Sequence, residues 1–385
     1  MKLQLNRKVF QKIISKSIGF IDDNAISETF NNFLIDVVND KQIAVTATDG
    51  NAHTGVVSYM NFEIMENAKA FLVKAKKLDS ILRLLDGDIV DLELNEKGTL
   101  IIKSGKFEYK VPSSSVFEYI EHPEVTGKSF EINVGKFLFL IKKVWFSISS
   151  DNTKNKLRAG YLKYKDNKIM MVGTDSFQLA YSEVEQEEDL SNFLSEGVLI
   201  AKDDLARLRK ILEIEDLNSN IKMTIQENTV SIHLKNRDEN VKTEVWLRLL
   251  GSDYIAYESI FRDKANQVIV NKKLFQELLK KASPAISKET PLVKLSISQN
   301  KLKIESNDDS SKFSGEIECS YDAKSMTIGL SNRYLNDMVS MIDSEFVVLD
   351  LLSEENVVMI YRHIENTERK EDRNYFYILM PMDID

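Results

Sequence analysis

The strongest constraint in these 385 residues is a self-similarity at a period of roughly 130 residues. Three times, a short alternating segment leads into an amphipathic helix pattern: Arg7–Gly19, Val134–Ser150 and Asn271–Ala282. Strand-like segments of alternating apolar and polar residues follow each one. Two of these end in matching turns, Thr48-Asp49-Gly50 and Thr174-Asp175-Ser176. A second helix pattern comes next, at Val73–Leu84, Ala201–Glu213 and Ser331–Asp343, and then further strands. The chain is too long for one ordinary domain. Three copies of one unit give an expected division at 1–126, 127–262 and 263–385. Two helices among many antiparallel strands predict an α+β fold with the helices packed on antiparallel sheets. Only five prolines occur, and none marks a Pro-rich linker, so the repeats are expected to abut.

Several function classes are disfavoured at once. No apolar run is long enough to span a bilayer. The first residues, Met1–Ile13, alternate charged and apolar side chains without the apolar centre of a signal peptide, which predicts a cytoplasmic protein with no membrane partner. The single cysteine, Cys319, excludes an internal disulfide and reads as a packed strand residue. His53, His122, His233 and His363 lack metal-ligand spacing, so neither metal nor cofactor is expected. No GxxxxGK[ST], GxSxG or HExxH segment occurs. Asp49 and Asp175 are the repeated acids. A metal-dependent nucleic-acid-processing enzyme would need such carboxylates, but a Thr-Asp-Gly/Ser turn after a strand more often uses its Asp to fold the turn.

The charge distribution carries the positive argument. The chain as a whole is −9, yet its six helix windows hold 20 Lys and Arg against 7 Asp and Glu, so the remaining residues carry −22. In the first helix Lys8, Lys12 and Lys16 fall at i, i+4 and i+8, opposite Phe10, Ile13, Ile14 and Ile18. Lys76, Arg83, Lys142, Lys143, Arg207, Lys210, Lys273 and Lys280 occupy comparable helical positions, and Lys154 and Lys156 lie in a following loop. One basic helix is usually only a solvated face. Five basic helices in an acidic protein suggest a shared positive surface, which binds phosphate backbones without reading sequence. No helix carries the Arg/Asn/Gln pattern of a base reader.

Three features together resemble the bacterial sliding clamp family, the β subunit of DNA polymerase III. These are the triplicated unit, the segment Val172-Gly173-Thr174-Asp175-Ser176-Phe177-Gln178-Leu179-Ala180, and the ending Tyr377-Ile378-Leu379-Met380-Pro381-Met382. The resemblance spans essentially the whole chain. It implies a non-catalytic, sequence-independent ring around double-stranded DNA, closed by a homodimer through Phe107 and Tyr109 on one side and Ile286 on the other. It also implies a pocket for short partner peptides, built from Thr174, Ser176, Phe177, Gln178, Leu179, Ile255, Ile260, Tyr334, Ile378, Met380, Pro381 and Met382. The implied partners are the DNA polymerase III α subunit, the clamp-loader complex, and other polymerases and repair proteins carrying clamp-binding peptides. Several positions depart from the family pattern. Asn24 stands where a basic residue is usual, Arg158 where a leucine is common, and Phe177 and Gln178 where histidine and arginine are common. Gly251–Tyr257 differs from the usual Phe-Pro-Asp segment, and Asp383 and Asp385 lie where a basic residue is typical. Two other readings remain open on the residues alone: the metal-dependent enzyme, and a repeat scaffold that binds only proteins.

Overall fold

The computed structural model describes residues 1–22, 27–50, 54–67, 69–116, 119, 122–151, 153–236, 241–251, 253–287, 289–364 and 373–384. Asn24, His53, Asn152 and Asp385 lie outside the described residues. Six main helices occupy the expected windows: α1 (Arg7–Ser17), α2 (Ala75–Leu84), α3 (Val134–Val144), α4 (Lys202–Leu212), α5 (Lys272–Ala282) and α6 (Asn332–Met341). The patterns after α1 and α3 tighten into 3-10 turns at Ile18–Phe20 and Trp145–Ser147. Each opening strand ends in an asparagine that starts the helix after it. Asn6 accepts from the amide of Val9, Asn133 from Lys136 and Asn271 from Leu274, satisfying an amide that the first helical turn leaves unpaired.

The three repeats share one strand-pairing rule. The opening strand pairs antiparallel with the strand after the second helix: Lys2–Asn6 with Ile89–Leu94, Ser129–Asn133 with Asn220–Ile225, and Asn266–Asn271 with Phe346–Leu351. The strand before the second helix pairs just as regularly with an earlier one: Phe71–Lys74 with Asn32–Val37, Val198–Ala201 with Ala159–Lys165, and Met326–Ser331 with Leu292–Ser298.

The sheets continue past the repeats. The last strand of the middle repeat, Val241–Arg248, pairs with Gly55–Asn61 of the first. The last strand of the third, Arg373–Leu379, pairs with Gln178–Glu185 of the middle one. Two compact units form around these two joins. One contains Met1–Leu138 and Asp203–Gly251, and the other Phe139–Lys202 and Ser252–Asp385. Among the described residues, thirteen strands follow one hydrogen-bonded order in the first unit. Eight and four strands make two sheets in the second.

Each join has its own side-chain lock. In the first unit Trp246 is buried against Ala44 and Val57, and it lies across Gly55, its partner in the register. Ser58 and Thr243 share a hydroxyl hydrogen bond beside it, at 2.9 Å. In the second unit Tyr181 stacks on Phe376 with ring centroids 4.9 Å apart, and Phe261 closes on both. Tyr161, Tyr254 and Tyr257 extend this aromatic layer, fixing the 253–261 segment to the sheet. Cys319 is buried and burial raises the pKa of its thiol, as suits a packing residue.

A β-carbon on Gly55 would stand 2.2 Å from the Trp246 ring and 2.7 Å from the Ala47 carbonyl oxygen. Gly55→Ala should therefore destabilise the first unit by about 1–3 kcal/mol, the usual cost of overpacking. Urea unfolding followed by Trp246 fluorescence in a Trp145→Phe background checks this, and an unchanged midpoint would refute it.

Candidate functional site

The expected cations sort into two physical groups. Lys8, Lys76, Arg83, Lys142, Lys156, Lys210, Lys273 and Lys280 are exposed, and Lys12 is half-buried. Their companions on the opposite faces, such as Phe10, Ile13 and Ile14 in α1 and Phe275, Leu278 and Leu279 in α5, are buried. Within the first unit α1 and α2 pack together, and within the second α5 and α6 do. The amphipathic pattern therefore orients the exposed group correctly.

Four of the expected DNA-binding cations have structural work instead. Lys16, the third lysine of the α1 stripe, is buried in an ion pair with Glu215. Lys143 is also buried: it donates to the Met341 carbonyl and to Asp343 at 3.1 Å, and its amine sits 3.8 Å from the Tyr375 ring centroid. Burial lowers its pKa, and Asp343 opposes that. With Lys272, which donates to the Ser340 and Ile342 carbonyls, it neutralises the negative end of α6. Arg207 is held by Asp49 and Asp204, each at 2.9 Å. Lys154 turns onto the Asp175–Phe177 turn, donating to the Asp175 carbonyl at 3.1 Å and lying over the Phe177 ring. For the three that lie on helices, the helical period gave their direction around the helix, but not the loop or neighbouring helix that covers them.

The two repeated acids have separate roles. Asp175 folds its turn as the sequence suggested: its carboxylate accepts from the amides of Phe177 and Gln178 at 3.0 and 3.1 Å and from the Gln178 side chain at 3.0 Å. This holds Ser176 at φ 89°, a conformation rare for a side-chain-bearing residue. Asp49 is a buried ion-pair partner. His122 and His233, far apart in sequence, meet at Glu244, at 3.2 and 3.6 Å. Among the described residues no group of three or more His, Cys, Asp or Glu is arranged to hold a metal ion.

An apolar cavity of about 270 Å³ opens in the second unit, lined by Phe177, Pro291, Ser331, Tyr334, Met380, Pro381, Met382 and Asp383. Five of these were expected: Phe177, Tyr334, Met380, Pro381 and Met382. Thr174, Gln178, Leu179 and Ile378 are buried behind it as supports. The Thr174 hydroxyl donates to the Gln178 carbonyl, and Leu179 and Ile378 face each other across the join. Ser176 is at the exposed turn and does not line the cavity. Nor do Ile255 and Ile260, which belong to the aromatic-anchored segment described above. Pro291 and Ser331 were not anticipated, and Asp383 only as a departure from the family pattern. Ser331 caps α6 by accepting from Tyr334, and Pro291 accepts from the Asn332 amide, so both are fixed by the helix start.

The cavity wall is a docked tail. The Met380 amide donates to the Phe177 carbonyl at 2.9 Å, and the Met382 amide to the Gly329 carbonyl at 2.8 Å. A β-carbon at Gly329 would fall 2.5 Å from the Met382 carbonyl oxygen and 2.4 Å from the Ile384 side chain. Tyr334 has its pKa pushed up to about 12 by burial, with the nearby Asp175 carboxylate adding to the effect. It therefore remains a neutral phenol.

Of the residues expected at the dimer contact, Phe107 is 58% exposed, and Tyr109 and Ile286 are half-buried. Phe107 to Pro112 pair on one side only, with Thr99–Ser104. Lys312–Glu318 also pairs on one side only and forms the edge of the four-stranded sheet.

Two outcomes test this geometry. Burial pushes Asp204 up to about 6, with Arg207 opposing and Asp49 adding to the rise. The folded protein then keeps a proton between about pH 4 and 6 that the unfolded chain releases, so this group's contribution to stability is lost as pH rises through 6. The stability of the native chain relative to Asp204→Asn should fall by about 2–3 kcal/mol from pH 4 to pH 7 in denaturant titrations; a pH-independent difference would contradict it. Gly329→Val should free the tail, speeding exchange of the Met382 amide by about tenfold through loss of one hydrogen bond. Equal protection in the two proteins would show that the tail does not depend on this glycine.

Comparison with known proteins follows the same layout. Models of the N-terminal, central and C-terminal domains of the DNA polymerase III β subunit match residues 1–124, 131–244 and 259–383. The chain is similar to the β sliding clamp of Haemophilus influenzae, at 22% identity over 99% of this chain and all of that one. It is similar to that of Rickettsia bellii at 26% identity, over 91% and 93% of the two chains. The fold matches crystal structures of the DNA polymerase III β subunit from Thermotoga maritima, at 20% identity, and of a DnaN sliding clamp from Bartonella birtlesii bound to griselimycin, at 22%. Both have a TM-score of 0.88 with full coverage of each chain. With all three domains matched in order, the chain belongs to the DNA polymerase III β subunit family, the non-catalytic sliding clamps that act as processivity factors in replication.

Proposed function

We propose that two copies of this chain close head to tail into a ring around duplex DNA, and that the cavity beside Tyr334 tethers polymerase to it. The observation that carries the ring is the reuse of one join. The last strand of the middle repeat enters the first repeat, and the last strand of the third enters the middle one. The same rule leaves one edge of each kind open: Phe107–Pro112, in the last strand of the first repeat, and Lys312–Glu318, the matching receiver in the third. A strand edge with unpaired amides and carbonyls seeks a partner. Pairing these edges between two copies repeats the internal join and closes the assembly. Phe107, Tyr109 and Ile286 would supply apolar contact beside it.

In this reading the three clamp domains are 1–126, 127–262 and 263–385. Lys8, Lys12, Lys76, Arg83, Lys142, Lys156, Lys210, Lys273 and Lys280 hold the phosphate backbone loosely, and the acidic remainder repels DNA from other surfaces. A closed ring stays on DNA by topology, so weak contacts coexist with sliding. Partners bearing an apolar peptide, the DNA polymerase III α subunit, the clamp loader and repair proteins among them, gain local concentration at the DNA. The work is cytoplasmic. Among the described residues no helix is long and apolar enough to cross a membrane.

Loading by a clamp loader and ATP onto nicked circular DNA, followed by a high-salt wash, should leave the protein on the circle. Linearisation should release it. Equal retention on linear and circular DNA would favour a surface-bound scaffold, and strand cleavage dependent on Asp49 and Asp175 would favour the enzymatic reading.

A further inference from the structure

We infer that Asp383 makes the peptide cavity charge-selective, favouring an apolar segment flanked by Lys or Arg over one flanked by Asp or Glu. This rests on the cavity being the partner site. The lining consists of two aromatic rings, two methionines, two prolines, a serine and one acidic side chain, Asp383. Tyr334 carries no charge, because burial keeps it a neutral phenol. The cation behind Phe177, Lys154, is tied to the Asp175 carbonyl and lies against the Phe177 ring, outside the lining. On α6, Arg333 and Asp337 flank Tyr334 with opposite charges. An occupant that seats apolar anchors between Phe177 and Met382 meets one acidic side chain in the lining, Asp383.

The position of Asp383 is well defined. The two preceding backbone anchors, Met380 to Phe177 and Met382 to Gly329, bring the chain along the cavity and leave residue 383 at its margin. Asp383 is exposed. A charge there acts through water, giving a modest, salt-sensitive preference rather than an absolute requirement. Burial of the apolar anchors supplies most of the affinity, and the flanking charge ranks the candidates.

The test uses the full chain and three fluorescein-labelled hexapeptides. They share leucine and phenylalanine anchors and differ at one flanking residue, Lys, Gln or Glu. Fluorescence anisotropy at low salt should rank them Lys, Gln, Glu, with Kd changing about threefold at each step. The spread should shrink in 0.5 M salt. Asp383→Asn should collapse the ranking, Asp383→Lys should invert it, and Asp383→Glu should retain it. Binding of all three peptides with the same order in every variant overturns the charge preference alone. Failure of any peptide to bind, or binding unaffected by Phe177→Ala and Met380→Ala together, overturns the cavity reading and the preference with it.

Discussion

Everything in this molecule depends on backbone pairing between the end of one repeat and the middle of the one before it. A single repeat presents sheets with unpaired edges, and buried amides and carbonyls must find partners. The chain meets that demand by lending each later repeat's last strand back to the repeat before it. Val241–Arg248 completes a sheet started by the first repeat, and Arg373–Leu379 one started by the middle repeat. Compactness follows these joins rather than the repeat boundaries, which is why the middle repeat is divided between two units. A one-residue slip in either register would turn every side chain to the opposite face. Trp246 over Gly55 and Tyr181 on Phe376 make such slips costly, because each lock fits one register only.

The same economy governs the cations. A helix on a sheet has one apolar face, and its lysines point away from it by geometry. Where another segment crosses that polar face, the lysine is covered and must be paired, since an unpaired buried charge is expensive. Lys16 meets Glu215, Arg207 meets Asp49 and Asp204, and Lys143 meets Asp343. These pairs fix loops and helix ends. The cations left at the surface can respond to an external polyanion. The basic surplus counted along the helices therefore overstates the charge on offer.

Much of the fold was legible in the sequence because it rests on local chemistry. Helix windows follow from a 3.6-residue period, and the Asp175 turn from the short reach of its carboxylate. Only afterwards does the recurrence of Asn6, Asn133 and Asn271 stand out as a signal, one cap per repeat. The joins were not legible. Strands that alternate equally well can pair with many others, and Gly55 looks like any strand glycine until Trp246 lies on it. That Ile255 and Ile260 do not line this cavity has the same origin. Their segment is anchored by Tyr254, Tyr257 and Phe261, whose partners Tyr161, Tyr181 and Phe376 are distant in sequence.

The cavity shows how a site arises from the same rule. Thr174, Gln178 and Leu179 belong to the receiving strand, and Ile378 to the lent one, so the join is the rigid floor on which the exposed Phe177 and Met380 stand. Past the join, the chain makes an isolated bridge from Met382 to Gly329 and leaves Asp383 exposed at the cavity margin. A wall built from flexible methionines can accept different apolar side chains with little change in shape. Its chemical preference must then come from the few fixed polar groups at its margin, because these cannot be repacked. Asp383 holds that position because the backbone ahead of it is anchored, and the anchoring exists because residue 329 has no side chain.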